Sequence, residues 1–124
     1  MTTPLGLLFL VKIVVTALGV AAPLLVAPTA LLARVAGVAD AGPLFRLYGV
    51  AILALLVGYG FGLADVAAGR LPVGLLWVAV VSNLGAAAVL LRMRPLPMRA
   101  AGVLFGLIGL GAGLGLLLPG VMLG

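Results

Sequence analysis

Four long apolar runs separated by short polar links set the pattern of this chain. They cover about residues 5–32, 44–65, 72–91 and 100–118. A helix needs about 20 apolar residues to cross a hydrocarbon core, and each run meets or nearly meets that length. The first link carries Asp40, Gly37 and Gly42 and ends at Pro43, a residue suited to the first turn of a helix. Arg70 and Pro72 mark the second link, and Arg92, Arg94 and Arg99 with Pro95 and Pro97 make the third a basic turn. The pattern predicts an all-α polytopic membrane protein, a compact four-helix bundle forming a single transmembrane domain over residues 1–124. The first run is longer than one crossing requires. It predicts either a helix tilted and kinked at Pro23, or one that ends there with an interfacial tail. A cleaved signal peptide fits it poorly, because no positive residue precedes Lys12 and Lys12 itself interrupts the apolar stretch.

Small residues recur along each run with helical spacing. In the second, Ala51, Ala54, Gly58 and Gly62 fall along one side and lead to Asp65, with Tyr48 and Tyr59 beside them. In the first, Lys12, Thr16, Gly19 and Pro23 share a face; in the third, Ala79, Asn83 and Ala86 do so. In the fourth, Gly102, Gly106, Gly109 and Gly113 repeat the 4-3-4 spacing of a left-handed bundle. Lipid is as apolar as Leu, so helices in a bilayer associate by close backbone approach, and these seams are the predicted packing faces. Gly and Ala are also frequent enough in this chain that some such line falls on any face.

Composition sharpens the class. Hydrophobic residues make up 66% of the chain and charged residues 7%, too few polar groups to cover a soluble fold. The sequence contains no Cys, His or Glu, so no metal or cofactor is expected and most general acid–base and thiol chemistry is excluded. Its single Ser has no base to activate it, and the glycines of YGFG and GLGAGLG lack the strand-to-helix context of a phosphate loop. The net charge of +5 points to membrane orientation rather than nucleic acid. Arg34 and Arg46 flank the first link and Arg92, Arg94 and Arg99 fill the third, against Arg70 and Asp65 at the second. The bias places the first and third links in the cytoplasm of a bacterial-type inner membrane, with both termini outside. Arg92, Arg94 and Arg99 are expected to meet anionic lipid headgroups, Asp40 and Arg46 to form a loop ion pair, and Tyr48 and Trp77 to anchor at the interface.

Lys12 is the residue that most needs a partner. A Lys inside an apolar run is costly and ordinarily faces another polar group or water. One reading gathers Lys12, Thr16, Tyr59, Asp65 and Asn83, with Ser82, into an internal polar cluster suited to an anion or lipid headgroup, or to holding the helices in register. The other lets Lys12 snorkel outward and leaves Asp65 an ordinary interfacial residue.

At Arg46-Leu47-Tyr48-Gly49, followed by Tyr59 and Asn83, the chain resembles small uncharacterised four-helix proteins of bacterial inner membranes, loosely DoxX-like. That resemblance implies a fold more than an activity. Small multidrug-resistance exporters are similar in length but carry a Glu that this chain lacks, and dual-topology fluoride channels lack its strong loop-charge bias. The expected role is non-enzymatic: an accessory or structural subunit whose small-residue faces bind its own copies or a larger membrane protein. The alternative is a small transporter or channel using the polar cluster around Lys12 and Asp65. An enzyme acting on lipid or quinone ranks last for want of catalytic groups.

Overall fold

Proline and a change of helical register shape the first crossing in the computed structural model, which describes residues 3–123. The helix α1 runs over Pro4–Val26, opened by Thr3, whose Oγ1 accepts the Gly6 N–H at 3.0 Å. Between Ala17 and Ala21 it widens into a π-turn in which the Ala22 N–H reaches the Ala17 carbonyl. Pro23 follows immediately; it lacks an N–H and its ring crowds the carbonyl four residues back, which a wider turn accommodates. The π-turn inserts one residue into the face. The buried line therefore runs Lys12, Thr16, Ala21, while Gly19, expected in the seam, is exposed with nothing near it.

The first crossing stops at Val26 rather than extending toward residue 32, because Pro28 holds Ala27 extended. A separate short helix, α2 (Thr29–Ala36), follows and ends on Gly37 at φ 70°. The Val38 N–H returns to the Ala33 carbonyl at 3.0 Å and the Gly37 N–H to that of Arg34 at 3.3 Å, a Schellman closure. Three further long helices complete the bundle: α3 (Pro43–Ala67), α4 (Val73–Leu90) and α5 (Leu96–Leu117). The last begins four residues before the expected boundary, so the basic turn is tighter than the sequence implied. A short α6 (Pro119–Leu123) then folds back and buries Met122 near Leu5.

Four of these helices, α1, α3, α4 and α5, are long and apolar enough to cross a membrane, and the protein is an all-α bundle. α4 and α5 form the most closely packed pair; α1 lies against both α3 and α5, and α3 meets α4 only lightly. Glycine sets the α4–α5 approach. A side chain at Gly102 would meet Leu90 and Leu91, one at Gly106 Ala87, and one at Gly109 Leu84. Gly113 has open space instead, and Gly115 takes the next position against Leu76 and Leu5.

The α3 seam sits differently from expectation. Gly62 is buried against Phe9 and Leu75, and Gly58 is half-buried, but Ala51 and Ala54 are exposed. Gly49, Leu56, Tyr59, Gly62 and Val66 make the buried face, so large side chains rather than the alanines face the bundle. Beside the first link, Arg46 donates to the carbonyls of Leu24 and Ala27 at 2.8 Å each, satisfying groups left open at the end of α1. It makes no pair with Asp40, which accepts from Gly42 N–H and Thr29 Oγ1. The main-chain acceptors suit a planar guanidinium held against a helix C-terminus.

Candidate functional site

Lys12 settles the larger question about its own placement: it is buried, at 4% exposure, and does not snorkel. Its Nζ donates to Asn83 Oδ1 on α4 at 2.8 Å. The same nitrogen lies 4.3 Å from the centroid of the Phe105 ring on α5 and 5.8 Å from that of Tyr59 on α3. One ammonium on α1 thus touches all three other crossings, with two aromatic faces providing the cation–π attraction that such a group finds away from water.

The proton arithmetic fixes the rest of the cluster. An ammonium only donates, so Asn83 must present its oxygen to Lys12. Its amide hydrogens then go to Tyr59 Oη at 2.9 Å and to the Ala79 carbonyl at 2.8 Å, leaving the Asn83 amide fully used. Tyr59 accepts from Asn83 and keeps its own hydroxyl hydrogen. Phe9 closes over Tyr59 edge to face, with ring centroids 5.5 Å apart and planes at 87°. Leu5, Phe9, Tyr59 and Leu76 are fully buried, and with Val66, Leu71 and Met122 they seal the bundle on the side of the second link.

On the opposite side of Lys12 the packing is open. A narrow cavity of about 70 Å³ extends from Lys12 past Thr16 to Val20 on α1, and from Leu55 past Ile52 to Tyr48 on α3. Ser82, Asn83, Ala86 and Phe105 complete its wall. It therefore leads from the polar centre toward the end of the bundle that carries the first and third links. Thr16 Oγ1 is buried in it with no hydrogen-bond partner among the described residues. Ser82 Oγ lies 3.5 Å from the Ala79 carbonyl, a distance at which little bonding remains, and the Ser82 side chain also reaches the Tyr59 hydroxyl.

Asp65 does not join this group. It lies six residues beyond Tyr59, about 9 Å farther along the helix axis and some 120° around it. There it pairs with Arg70 at 2.9 Å, with the two side chains 40% and 68% exposed. Exposed pairs of this kind contribute about 0–1 kcal/mol. Asp65→Asn is accordingly expected to shift the unfolding midpoint in mixed detergent micelles by less than about 0.5 kcal/mol. A loss several times larger would return Asp65 to the functional core.

The cluster the structure assembles is therefore Lys12, Tyr59 and Asn83, with Thr16 and Ser82 on the cavity wall. Phe105 belongs with them, and nothing in the helical pattern separated it from the other apolar residues of α5. Its one signal is position, between Gly102 and Gly109 on the face that packs inward. Arg92, Arg94 and Arg99 are exposed around the third link, and Tyr48 and Trp77 are exposed near the N-terminal ends of α3 and α4. Among the described residues no group of His, Cys, Asp or Glu is placed to hold a metal ion. Comparison with known protein families, curated proteins and solved structures finds no match to this chain.

Proposed function

We propose that this membrane protein is a non-enzymatic accessory or structural subunit that docks a second transmembrane chain, its own copy or a larger partner, on the outer face of α3. The observation carrying this reading is a line of residues the bundle leaves uncovered. Leu47, Ala51, Ala54, Gly58 and Phe61 follow one another at 4-3-4-3 spacing; Gly58 is half-buried and the others are exposed. Small residues in the middle of a lipid-facing line permit another helix to approach closely, at the period of a left-handed pair. The chain's own Gly102–Gly109 line is consumed by α4, whereas Ala51 and Ala54 of the α3 line stay exposed and free for assembly. We place the protein in a bacterial-type inner membrane, with the arginine-rich links in the cytoplasm and both termini outside, as the charge bias of the links supports. Arg92, Arg94 and Arg99 then face anionic headgroups.

The absence of native Cys makes the test clean. A photoreactive cross-linker attached to Ala54→Cys, in membranes at native expression level, is expected to capture one stoichiometric partner identified by mass spectrometry. The same reagent on Leu107→Cys, exposed on α5, is expected to give none. Equal, unspecific labelling from both sites would sink the proposal.

A second reading, a small transporter or channel, is favoured by one observation: the cavity beside Lys12 and its unpartnered Thr16 hydroxyl. Leu5, Phe9 and Leu76 close the bundle beyond Lys12, so transport would require these side chains to move. Flux in proteoliposomes that disappears in Lys12→Met would establish this reading over the first.

A further inference from the structure

We infer that the cavity beside Lys12 is a binding site for a small monovalent inorganic anion of the halide class. The first ground is a missing counterion. The chain has two carboxylate side chains, and both are committed elsewhere: Asp40 to Gly42 and Thr29, Asp65 to Arg70. An ammonium held at 4% exposure among four apolar helices has an amide oxygen and aromatic faces beside it, but no negative charge among the described residues. Buried charges in proteins are paired because removing an ion from water without compensation is expensive.

The second ground is the arrangement of donors. Of the three Nζ hydrogens one goes to Asn83 and one face lies on Phe105, which leaves a donor for the cavity. Thr16, at 1% exposure, lines the same space with its hydroxyl unpartnered among the described residues, and Ser82, whose hydroxyl is shared with Tyr59, lines it as well. Among the described residues two uncommitted donors, on Lys12 and Thr16, and no carboxylate line one partly open space, which is the chemistry of an anion site. The Asn83 oxygen, already accepting from Lys12, is the polar acceptor on this wall.

Size and access narrow the ligand. A space of about 70 Å³ admits a single-atom anion with water, and the second charge of a sulfate or phosphate ester would find no second cation beside the one ammonium. The cavity runs toward Tyr48, at the end of the bundle that bears Arg34, Arg46, Arg92, Arg94 and Arg99. Clustered positive charge at that end raises the local concentration of anions. The inference concerns equilibrium binding; it is independent of the assembly reading and does not require that the ion be moved across the membrane.

The test is a chloride titration of the full chain in detergent, with gluconate replacing chloride at constant ionic strength. A ligand that binds only the folded state raises its stability along a saturable curve. The melting temperature is expected to rise in that way, with matching broadening of the chloride NMR signal, and sulfate is expected to give no response. Lys12→Met should abolish both effects. Thr16→Val should raise the half-saturating chloride about tenfold or more, the equivalent of one hydrogen bond to a charged group. No saturable chloride response in the unsubstituted protein, an equal response to sulfate, or a response retained in Lys12→Met would overturn the site. Should Lys12→Met fail to fold, Thr16→Val and Ser82→Ala decide it: unchanged half-saturation in both would likewise overturn it.

Discussion

Asn83→Leu is expected to destabilise the protein by about 3 kcal/mol or more, because it strands the Lys12 ammonium rather than because it removes hydrogen bonds. The distinction follows from magnitudes. Interhelical hydrogen bonds inside membranes average about 0.6 kcal/mol, so the neutral contact between Asn83 and Tyr59 contributes little. Leaving a buried neutral group unsatisfied costs about 1–3 kcal/mol and a charged one more, since the remaining charge keeps its desolvation penalty and loses its compensation. Lys12 donates to Asn83 at 2.8 Å and has no other oxygen acceptor among the described residues. The same logic makes Lys12→Met the milder change, as it removes the group that needs compensating and leaves a side chain of similar length. In the double variant Lys12→Met/Asn83→Leu the loss should be smaller than in Asn83→Leu alone. Unfolding midpoints in mixed micelles, followed through the fluorescence of Trp77, measure all three. Strictly additive losses would show that the two residues do not act together.

The other large effect is expected at Gly109. A β-carbon there would stand 2.7 Å from Leu84 Cδ2, 2.8 Å from its Cγ and 3.2 Å from its backbone nitrogen. The side-chain atoms of Leu84 can rotate, but its backbone cannot, so Gly109→Leu must push α4 and α5 apart. Overpacking typically costs about 1–3 kcal/mol, and here the displaced pair is the most closely packed in the bundle. A loss of about 3 kcal/mol and a fall in the yield of folded protein are expected. Gly113→Leu provides the control on the same helix, since nothing lies within 4 Å of its β-position. Equal tolerance of both substitutions would mean that the α4–α5 contact does not depend on close backbone approach.

The difference between these two glycines also shows where sequence reading reaches its limit. Gly102, Gly106, Gly109 and Gly113 form one regular line, yet the antiparallel α4 leaves the line before Gly113 and Gly115 takes over. In α3 the small-residue line was visible, but a small residue in a bilayer serves either an internal neighbour or an external one. Gly62 turned inward against Phe9 and Leu75, while Ala51 and Ala54 turned out. Asp65 was drawn into the polar cluster because it lies near the same end of the bundle. Its angular position took it to Arg70 instead.

The sequence by itself determined the medium, the number of crossings and the presence of a polar residue that required company. Those properties depend on totals and run lengths: too few polar residues to cover a soluble surface, four runs that match a hydrocarbon core, and one Lys deep in the first. Only the tertiary structure decided which partners Lys12 would take. The π-turn at Ala17–Ala21 shifts the inner face of α1 by one residue, and the offsets of three other helices bring Asn83, Tyr59 and Phe105 around a single nitrogen. Periodicity gives each helix its faces but not its rotation or its height against a neighbour. In lipid, where Leu gains nothing from being hidden, those two quantities are settled by close packing and by the needs of a buried charge.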